Sequence, residues 1–390
     1  MYLEIDALMM TDLIRPYPGE DEASFVKRKA YFIRVIQPRL AYSNKRLDDK
    51  NNHLTPITVA EKEEIDGFWG EFLGANIREK IVDYRYYDFF KHIKSDGEKV
   101  SQYVNNYFYA FIDEYYTNPQ HSNPCDDKNL YDLYFQDVNR PRTVFRKLRN
   151  IYLDENYREI TQEDALIRAK GCEEVILKVG KFAYGGNSLL FWKSADADER
   201  ELMAFLQSND NLVCQEVLKQ HCELSRLNPT SVNTLRIMTL FFDGQVYVPS
   251  AILRMGINES RVDNGSQGGI VCGIQENGQL KNFARDLSGN FYRKHPGGTS
   301  FESVTIPHFR ECIDMVTTLA KRFVAVSRSI SWDLAIGEDG HPLLVESNLS
   351  GGGLDVHQVC NGPLYGEMIH DVVAEVFENS YTLKSIIKSM

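Results

Sequence analysis

The 390-residue chain is short of positive charge: 44 Lys and Arg stand against 55 Asp and Glu, a formal net charge of −11. Nucleic acid and anionic membrane surfaces are bound through a surplus of Lys and Arg at the contact face, so this balance argues against a general binder of either. A local basic pocket remains compatible with it. Long apolar runs are lacking too. No stretch approaches the ~20 residues that cross a bilayer. The N-terminal MYLEIDALMMTDLIRPYPGEDE has no basic leader and breaks its apolar residues with charge, which makes a poor signal peptide. Cysteine is sparse: Cys125, Cys172, Cys214, Cys222, Cys272, Cys312 and Cys360 are odd in number and form no CxxC pair. They read as buried reduced thiols in a cytoplasmic protein. Two nucleotide signatures are also missing, the GxxxxGK[ST] loop and the dinucleotide fingerprint. There is no internal repeat and no low-complexity tract.

What is present is an ordered, globular composition, with 43% hydrophobic and 25% charged residues. The length suits two or three packed lobes. Residues 1–120 have helical periodicity. SFVKRKAYFIRVIQPRL and EKEEIDGFWGEFLGANIREKIVDYRYYDFFKHI place apolar residues every three to four positions, and Thr58 with Glu61 forms a weak capping box. The aromatic KVSQYVNNYFYAFIDEYYT reads as core. NPQHSNPCDDKN, residues 118–129, reads as a loop or boundary. Beyond it the period changes. TVFRKL, EEVILKV, SLLFW, NLVCQEVL, TLRIMTLFF, QVYVPSAILRM, GGIVCGI, SWDLAI and PLLVESN read as strands, with helices over ADERELMAFLQS and PHFRECIDMVTTLAKRFVAV. Asp243-Gly244 and Asp339-Gly340 look like hairpin turns. The class is α+β, antiparallel in character, behind an N-terminal helical region.

Four groups of residues carry chemistry. In SWDLAIGEDGHPLLVESNL, Asp333 and Glu346 flank a hairpin and Asn348 shares the face of Glu346, because i and i+2 in a strand point the same way. Two carboxylates and a carboxamide make an all-oxygen set that suits Mg²⁺; the plain alternative is a solvated hairpin with polar ends. In EEVILKVGKFAYGGNSLLFW, a strand carries Lys178 and leads into Gly185, Gly186, Asn187 and Ser188, a loop able to turn backbone N–H groups on phosphate oxygens. A flexible hairpin is the alternative there. In NLVCQEVLKQHCEL, a strand ends in Gln215, Glu216, Val217 and Leu218, whose edge offers backbone contacts to a purine, with Glu223 nearby. Arg236 opens TLRIMTLFF behind Asn233, and Arg254 closes its hairpin partner. Arginines among apolar strand residues are costly to bury unless paired with carboxylate or phosphate.

In this order, lysine strand, glycine-rich hairpin, Gln-Glu strand end, paired arginine strands and Asp…Glu-x-Asn, the chain resembles the ATP-grasp superfamily. Through LNPTSVNTLRI, VDNGSQGGIVCGI, HPGGTSFESVTIPHF and SWDLAI…LLVESN it resembles the sugar-transfer-associated ATP-grasp family. The resemblance covers roughly residues 120–380. It implies the ATP-grasp fold, two α+β lobes sandwiching ATP: a small lobe over 121–215 and a large lobe over 216–390, behind the helical 1–120. It implies that Lys128 and Lys178 contact the nucleotide, that 185–188 form the phosphate lid, that Glu216 to Leu218 form the adenine hinge with Glu223 at the ribose, and that Asp333, Glu346 and Asn348 hold Mg²⁺. Arg254 would stabilise the transferring phosphoryl group beside Arg236. The family often has Lys-Pro where this chain has Lys178-Val179, which alters loop geometry and removes no chemical group.

The activity so implied is that of an ATP-dependent carboxylate–amine ligase, forming a C–N bond through an acyl phosphate. No protein nucleophile is required, in keeping with the lack of a convincing Cys/His or Ser/His pair. Asn264, Ser266, Gly268, Gly269, His295 and Gln358 are the residues expected to line the acceptor pocket. The family's association with sugar transfer implies a role in surface polysaccharide or glycoconjugate synthesis, joining an amine to a sugar-linked carboxylate, with sugar-transfer enzymes as partners. Two alternatives stand: a kinase using the same ATP cradle, and a nucleotide-binding scaffold that docks sugar-transfer enzymes through its aromatic helices.

Overall fold

The structure is a computed structural model that describes residues 16, 19–31, 47–48, 53–73, 82–117, 119–180, 189–195, 199–380 and 383. The helical region contributes α1 (Glu22–Tyr31), α2 (Val59–Leu73), α3 (Tyr84–Ile93) and α4 (Asn106–Tyr116). Thr58 and Glu61 close the expected capping box on α2: the Thr58 backbone N–H donates to the Glu61 carboxylate at 2.7 Å, and the Glu61 N–H to Thr58 Oγ1 at 3.2 Å. The aromatics form a core, with the rings of Trp69 and Phe108 stacked 3.7 Å apart. Residues 119–129, expected as part of a loop or boundary, contain α5 (Pro119–Cys125). Pro119 takes the first helical position, where a missing N–H is harmless, and Pro124 falls in the last turn.

Two antiparallel sheets follow. The smaller comprises β1 (Thr143–Leu148), β2 (Ile151–Leu153), β3 (Glu159–Ile160), β4 (Glu174–Val179), β5 (Leu189–Lys193) and β6 (Asn211–Glu216), in the order β3-β2-β1-β6-β4-β5. It packs on α6 (Gln162–Lys170) and α7 (Glu199–Ser208) through a separate apolar core. The larger comprises β7 (Thr234–Phe242), β8 (Gln245–Met255), β9 (Ile270–Ile274), β10 (Leu280–Arg285), β11 (Phe291–Tyr292), β12 (Ser329–Ile336) and β13 (Pro342–Asn348), in the order β11-β10-β9-β8-β7-β12-β13. Asp243 and Gly244, both at positive φ, make the two-residue turn between β7 and β8. The short β2, β3, β10 and β11 have little apolar alternation and were not expected.

The larger sheet is covered on both faces. Helix α8 (Phe309–Arg322) packs against Leu235 and Ile237, while the helical region with α9 (Leu354–Asn361) and α10 (Ile369–Asn379) packs against Met238 and Leu240. Strand alternation explains the split, because successive residues of β7 face opposite layers. The even-numbered face does two things along its length. Met238 and Leu240 lie under the helices, whereas Thr234 and Arg236 open into a cleft between the two sheets. Among the described residues, no helix is long and apolar enough to cross a membrane. All seven cysteines are free thiols.

Candidate active site

The cleft is a cavity of about 740 Å³ walled by both sheets. Its large-sheet wall is built on strand register. Arg236, Asp333 and Glu346 lie directly opposite one another across β7, β12 and β13, and Ser331 pairs with Asn348 one step along. A bulge makes this possible. Leu344 and Glu346 are two apart and would share a face in a regular strand, yet Leu344 is in the core and Glu346 lines the cleft. The register jumps from Asp333↔Glu346 to Leu334↔Leu344, so Val345 is the extra residue that turns the end of β13 over.

Asp333 is 2% exposed, and its charge is balanced within the wall. Arg236 grips it in a two-pronged fork, Nε to Oδ1 at 2.8 Å and Nη2 to Oδ2 at 2.7 Å. Arg254 Nη2 approaches Oδ2 at 3.2 Å. Burial alone would raise the Asp333 pKa, but the two guanidiniums win and hold it down at about 2. Arg254 is itself aimed by Thr234 Oγ1, which accepts from its Nε at 3.0 Å and Nη2 at 2.7 Å; Thr234 in turn donates to Asp263. Under this row lies His357, fully buried, with Nδ1 2.8 Å from Ser250 Oγ. Burial first, and the charge of Arg236 next, push its pKa to about 3 and keep it neutral.

The small-sheet wall carries Lys178 on β4, opposite Leu189 of β5 and Val213 of β6. The glycine-rich loop that follows, Gly185, Gly186, Asn187 and Ser188, lies outside the described residues. Burial lowers the Lys178 pKa to about 8, and the nearby Lys128 charge adds to this against the opposing pull of Glu346 and Asp333. Lys128 sits in a single turn started by Asp127, and its backbone N–H donates to Gly180 O at 2.9 Å, tying this turn to the end of β4. Its ammonium meets Glu346 Oε1 at 2.8 Å. Burial opposes the charge on Lys128 too, but the Glu346 carboxylate overrides it and raises the pKa.

Of the residues singled out in the sequence, Lys128, Lys178, Glu216, Val217, Leu218, Arg236, Arg254, Asn264, Asp333, Glu346 and Asn348 all line this one cavity. The other expected positions that are described have other roles. Gln215 is buried within β6, and Glu223 pairs with Arg226 at 2.7 Å. Gly268 adopts φ 88° beyond the short turn that starts at Asn264, and the Asn264 carbonyl accepts the Gly269 N–H at 3.1 Å. The side chain of Ser266 lies outside the described residues. His295 is committed to its own loop: Nε2 donates to Gly256 O at 3.0 Å and Nδ1 accepts the Gly297 N–H at 3.0 Å. Gln358 clasps the helical region, donating to Val104 O at 2.9 Å and accepting the Val104 N–H at 3.1 Å.

Two residues of the cleft, Asp263 and Arg261, and one that supports its rim, Asp113, were not singled out in the sequence. Asp263 supports Thr234 across 29 residues. Arg261 bridges the two walls, with Nη1 2.6 Å from Glu174 of β4 and its guanidinium 4.0 Å over the Phe191 ring of β5. Asp113 of α4 accepts the Gly351 N–H on both carboxylate oxygens at 2.8 Å, fixing the turn after Asn348. Each joins segments far apart in the chain, which local spacing does not reveal.

The donor set fits a hard divalent cation. Asp333 and Glu346 offer carboxylate oxygens on one face, and Asn348, whose Nδ2 points at Ser331 O (3.3 Å), keeps its carbonyl oxygen as an acceptor. Glu346 is met by Lys128 and has further acceptor sites, whereas Asp333 already faces Arg236 twice, Arg254 at 3.2 Å and Asn348 Nδ2 at 3.5 Å, so a cation held by Asp333 would take the place of one of these contacts.

Residues 197–372 match the profile of a family described as sugar-transfer associated ATP-grasp. No curated protein sequence matches the chain. Among solved structures, the chain is similar to a D-alanyl-alanine synthetase A from Vibrio cholerae, with 12% identity, 69% of this chain and 68% of that one covered, and a TM-score of 0.42. A D-alanine–D-alanine ligase from Bacillus anthracis shows 14% identity over 70% of this chain and 71% of that one, with a TM-score of 0.38. An L-amino acid ligase from Bacillus licheniformis shows 14% identity over 66% of this chain and 50% of that one, with a TM-score of 0.36.

Proposed function

We propose that this chain, which resembles the sugar-transfer-associated ATP-grasp family, is an ATP-dependent ligase that joins a carboxylate to an amine. The observation that carries the reading is the convergence in one cavity of three oxygen donors, two lysines and two arginines from opposite sheets. ATP brings a concentrated negative charge, and four cations with a divalent metal balance it. Mg²⁺, when bound by Asp333, Glu346 and Asn348, would neutralise phosphate charge and align the groups in line.

The chain's own residues do the rest. Lys178 is the cation set to grip phosphate: among the described residues no carboxylate lies within ion-pair distance of it, and burial lowers its pKa to about 8. Lys128 holds the Glu346 carboxylate in place and adds its charge to the same side. The edge from Glu216 to Leu218 receives the base. Arg254, oriented by Thr234, faces the transferring phosphoryl group. An oxygen of the substrate carboxylate attacks the γ-phosphorus as the bond to the β-bridging oxygen breaks, giving ADP and an acyl phosphate. The amine nitrogen then attacks the acyl carbon, phosphate departs with the C–O bond, and the proton lost by nitrogen is carried away by phosphate or solvent. The family's sugar-transfer association points to a carboxylate on a sugar or glycoconjugate, in surface polysaccharide synthesis, with cytoplasmic catalysis. The seven free thiols fit that compartment.

The test is to incubate the purified chain with ATP, Mg²⁺, hydroxylamine and a panel of sugar and amino-acid carboxylates. The expected result is ADP release matched by hydroxamate for a subset of the panel. ADP release with a hydroxylamine-resistant phosphate ester would make the protein a kinase. Tight nucleotide binding with no ADP release across the panel would make it a scaffold.

A further inference from the structure

A second group of metal-ligand residues lies outside the cleft, on the surface where the start of α8 meets the tip of the β12–β13 hairpin. His308 precedes α8 in the left-handed conformation, φ 48° and ψ 35°, and its side chain does not cap the helix. Instead Nδ1 reaches Glu311 Oε1 at 2.6 Å. His341, at the tip of the β12–β13 hairpin, reaches the other Glu311 oxygen through Nδ1 at 2.8 Å. The two imidazole rings stand 4.5 Å apart. One donor atom from each of the three residues lies within 4.8 Å of the others. His221 borders the same spot: a methyl placed on Gly340 would sit 3.6 Å from the His308 ring and 3.7 Å from the His221 ring.

We propose that His308, Glu311 and His341 form a binding site for a first-row divalent transition metal of the Zn²⁺ type, with His221 positioned to approach as a fourth ligand. Two imidazoles and a carboxylate suit Zn²⁺ and its neighbours, whereas the all-oxygen set of the cleft suits Mg²⁺. The present hydrogen bonds are shorter than the about 3.3 Å between ligand atoms of a tetrahedral Zn²⁺ site with bonds of ~2.0–2.1 Å. Loading therefore requires each imidazole to draw back from the Glu311 carboxylate by roughly half an ångström, which three exposed side chains can do. The site is structural in character. It pins the start of α8 to the tip of the hairpin whose far end carries Asp333 and Glu346, and the backbone N–H of His221 already donates to Ile336 O of that hairpin at 2.9 Å. It is independent of the ligase reading.

The experiment uses the full chain stripped with a chelator and titrated with Zn²⁺ by calorimetry in excess Mg²⁺, which keeps the oxygen set of the cleft occupied. One equivalent is expected to bind, with a visible d–d band when Co²⁺ replaces Zn²⁺ and a rise in melting temperature. Glu311→Gln and His341→Ala are each expected to weaken binding at least about tenfold, as much as even an outer-shell partner's loss does, and to abolish the thermal shift. Their metal-free melting should stay at the parent value, because both side chains are exposed. Cys222→Ser tests the exposed thiol 3.9 Å from His221 and should bind Zn²⁺ like the parent. Binding unchanged in Glu311→Gln and His341→Ala, or Zn²⁺ uptake lost only in Cys222→Ser, would overturn the site, as would no stoichiometric uptake.

Discussion

The two walls of the cleft handle charge in opposite ways. On the large-sheet wall the charged groups of the donor row have counter-charges: Asp333 has Arg236 and Arg254, and Glu346 has Lys128. On the small-sheet wall Lys178 has no carboxylate within ion-pair distance among the described residues, and burial lowers its pKa to about 8. Lys128 and Lys178 make the contrast sharp. Both are part-buried near Glu346, yet burial loses to the salt bridge in the first and wins in the second. One wall is assembled before any ligand arrives. The other holds a cation whose balancing charge is the ligand, in the reading proposed above.

Removing a charge from each wall should therefore do opposite things to stability. Asp333→Ala takes the fork partner from the part-buried Arg236, leaves Arg254 with Asp263 at 3.5 Å, and should lower unfolding free energy by about 3 kcal/mol, read from urea denaturation, along with loss of turnover. Glu346→Gln should also abolish turnover but cost far less stability, because Glu346 is one-third exposed. Lys178→Met removes a desolvated cation and should leave the urea midpoint unchanged or raised, while ATP affinity falls about tenfold or more, the loss of one charge-assisted contact of ~1.5–3 kcal/mol. Equal destabilisation by Asp333→Ala and Lys178→Met would erase the distinction between the walls.

Acidity gives a graded version of the same contrast. Asp333 has its folded pKa depressed to about 2, so its contribution to stability is present above its ordinary value near 3.8 and is lost as pH falls towards 2. Lys178 is depressed from 10.5 to about 8, so between those values the unfolded chain binds the extra proton, and this group makes stability rise with pH across that window. ATP affinity should do the reverse, falling as pH rises through about 8, because the phosphates need the charged ammonium. Lys178→Arg should hold affinity level there, and a parent titration that is flat across pH 7 to 10, in roughly half-unit steps, would count against Lys178 as the phosphate cation.

Much of the large-sheet wall was legible because β-alternation is a local rule. Glu346 and Asn348 share a face by spacing alone, and TLRIMTLFF, QVYVPSAILRM and PLLVESN have the strand bounds that were read from them. The bulge at Val345 was not legible, although it is what separates Glu346 from Leu344, since a register shift depends on the partner strand. His295 and Gln358 show the opposite failure. A His-Pro-Gly-Gly loop and a polar residue after a glycine run look like ligand contacts, but their side chains satisfy backbone groups at Gly256, Gly297 and Val104. Nothing in the order of residues says whether a polar side chain in a loop serves its own backbone or a ligand. The helical region was equally silent about Asp113, whose two hydrogen bonds to Gly351 make it a support for the turn beside the donor set.

The smallest expected effect concerns the link between the walls. Arg261 and Glu174 form the ion pair that spans the cleft mouth, and the Arg261 guanidinium also lies over Phe191. Arg261 is 40% exposed, so solvent screens the pair and its coupling should be only about 0.5 kcal/mol. A double-mutant cycle on Arg261→Ala and Glu174→Ala measures that term directly, with urea midpoints as the readout. Its kinetic consequence should be larger than its thermodynamic one. A clasp across the opening slows passage in both directions, so Arg261→Ala should raise the association and dissociation rates of a fluorescent ATP analogue together and leave its Kd nearly unchanged. A change in Kd with the association rate held constant would instead make Arg261 a ligand contact, and the partnered wall would then have a second cation turned towards the nucleotide.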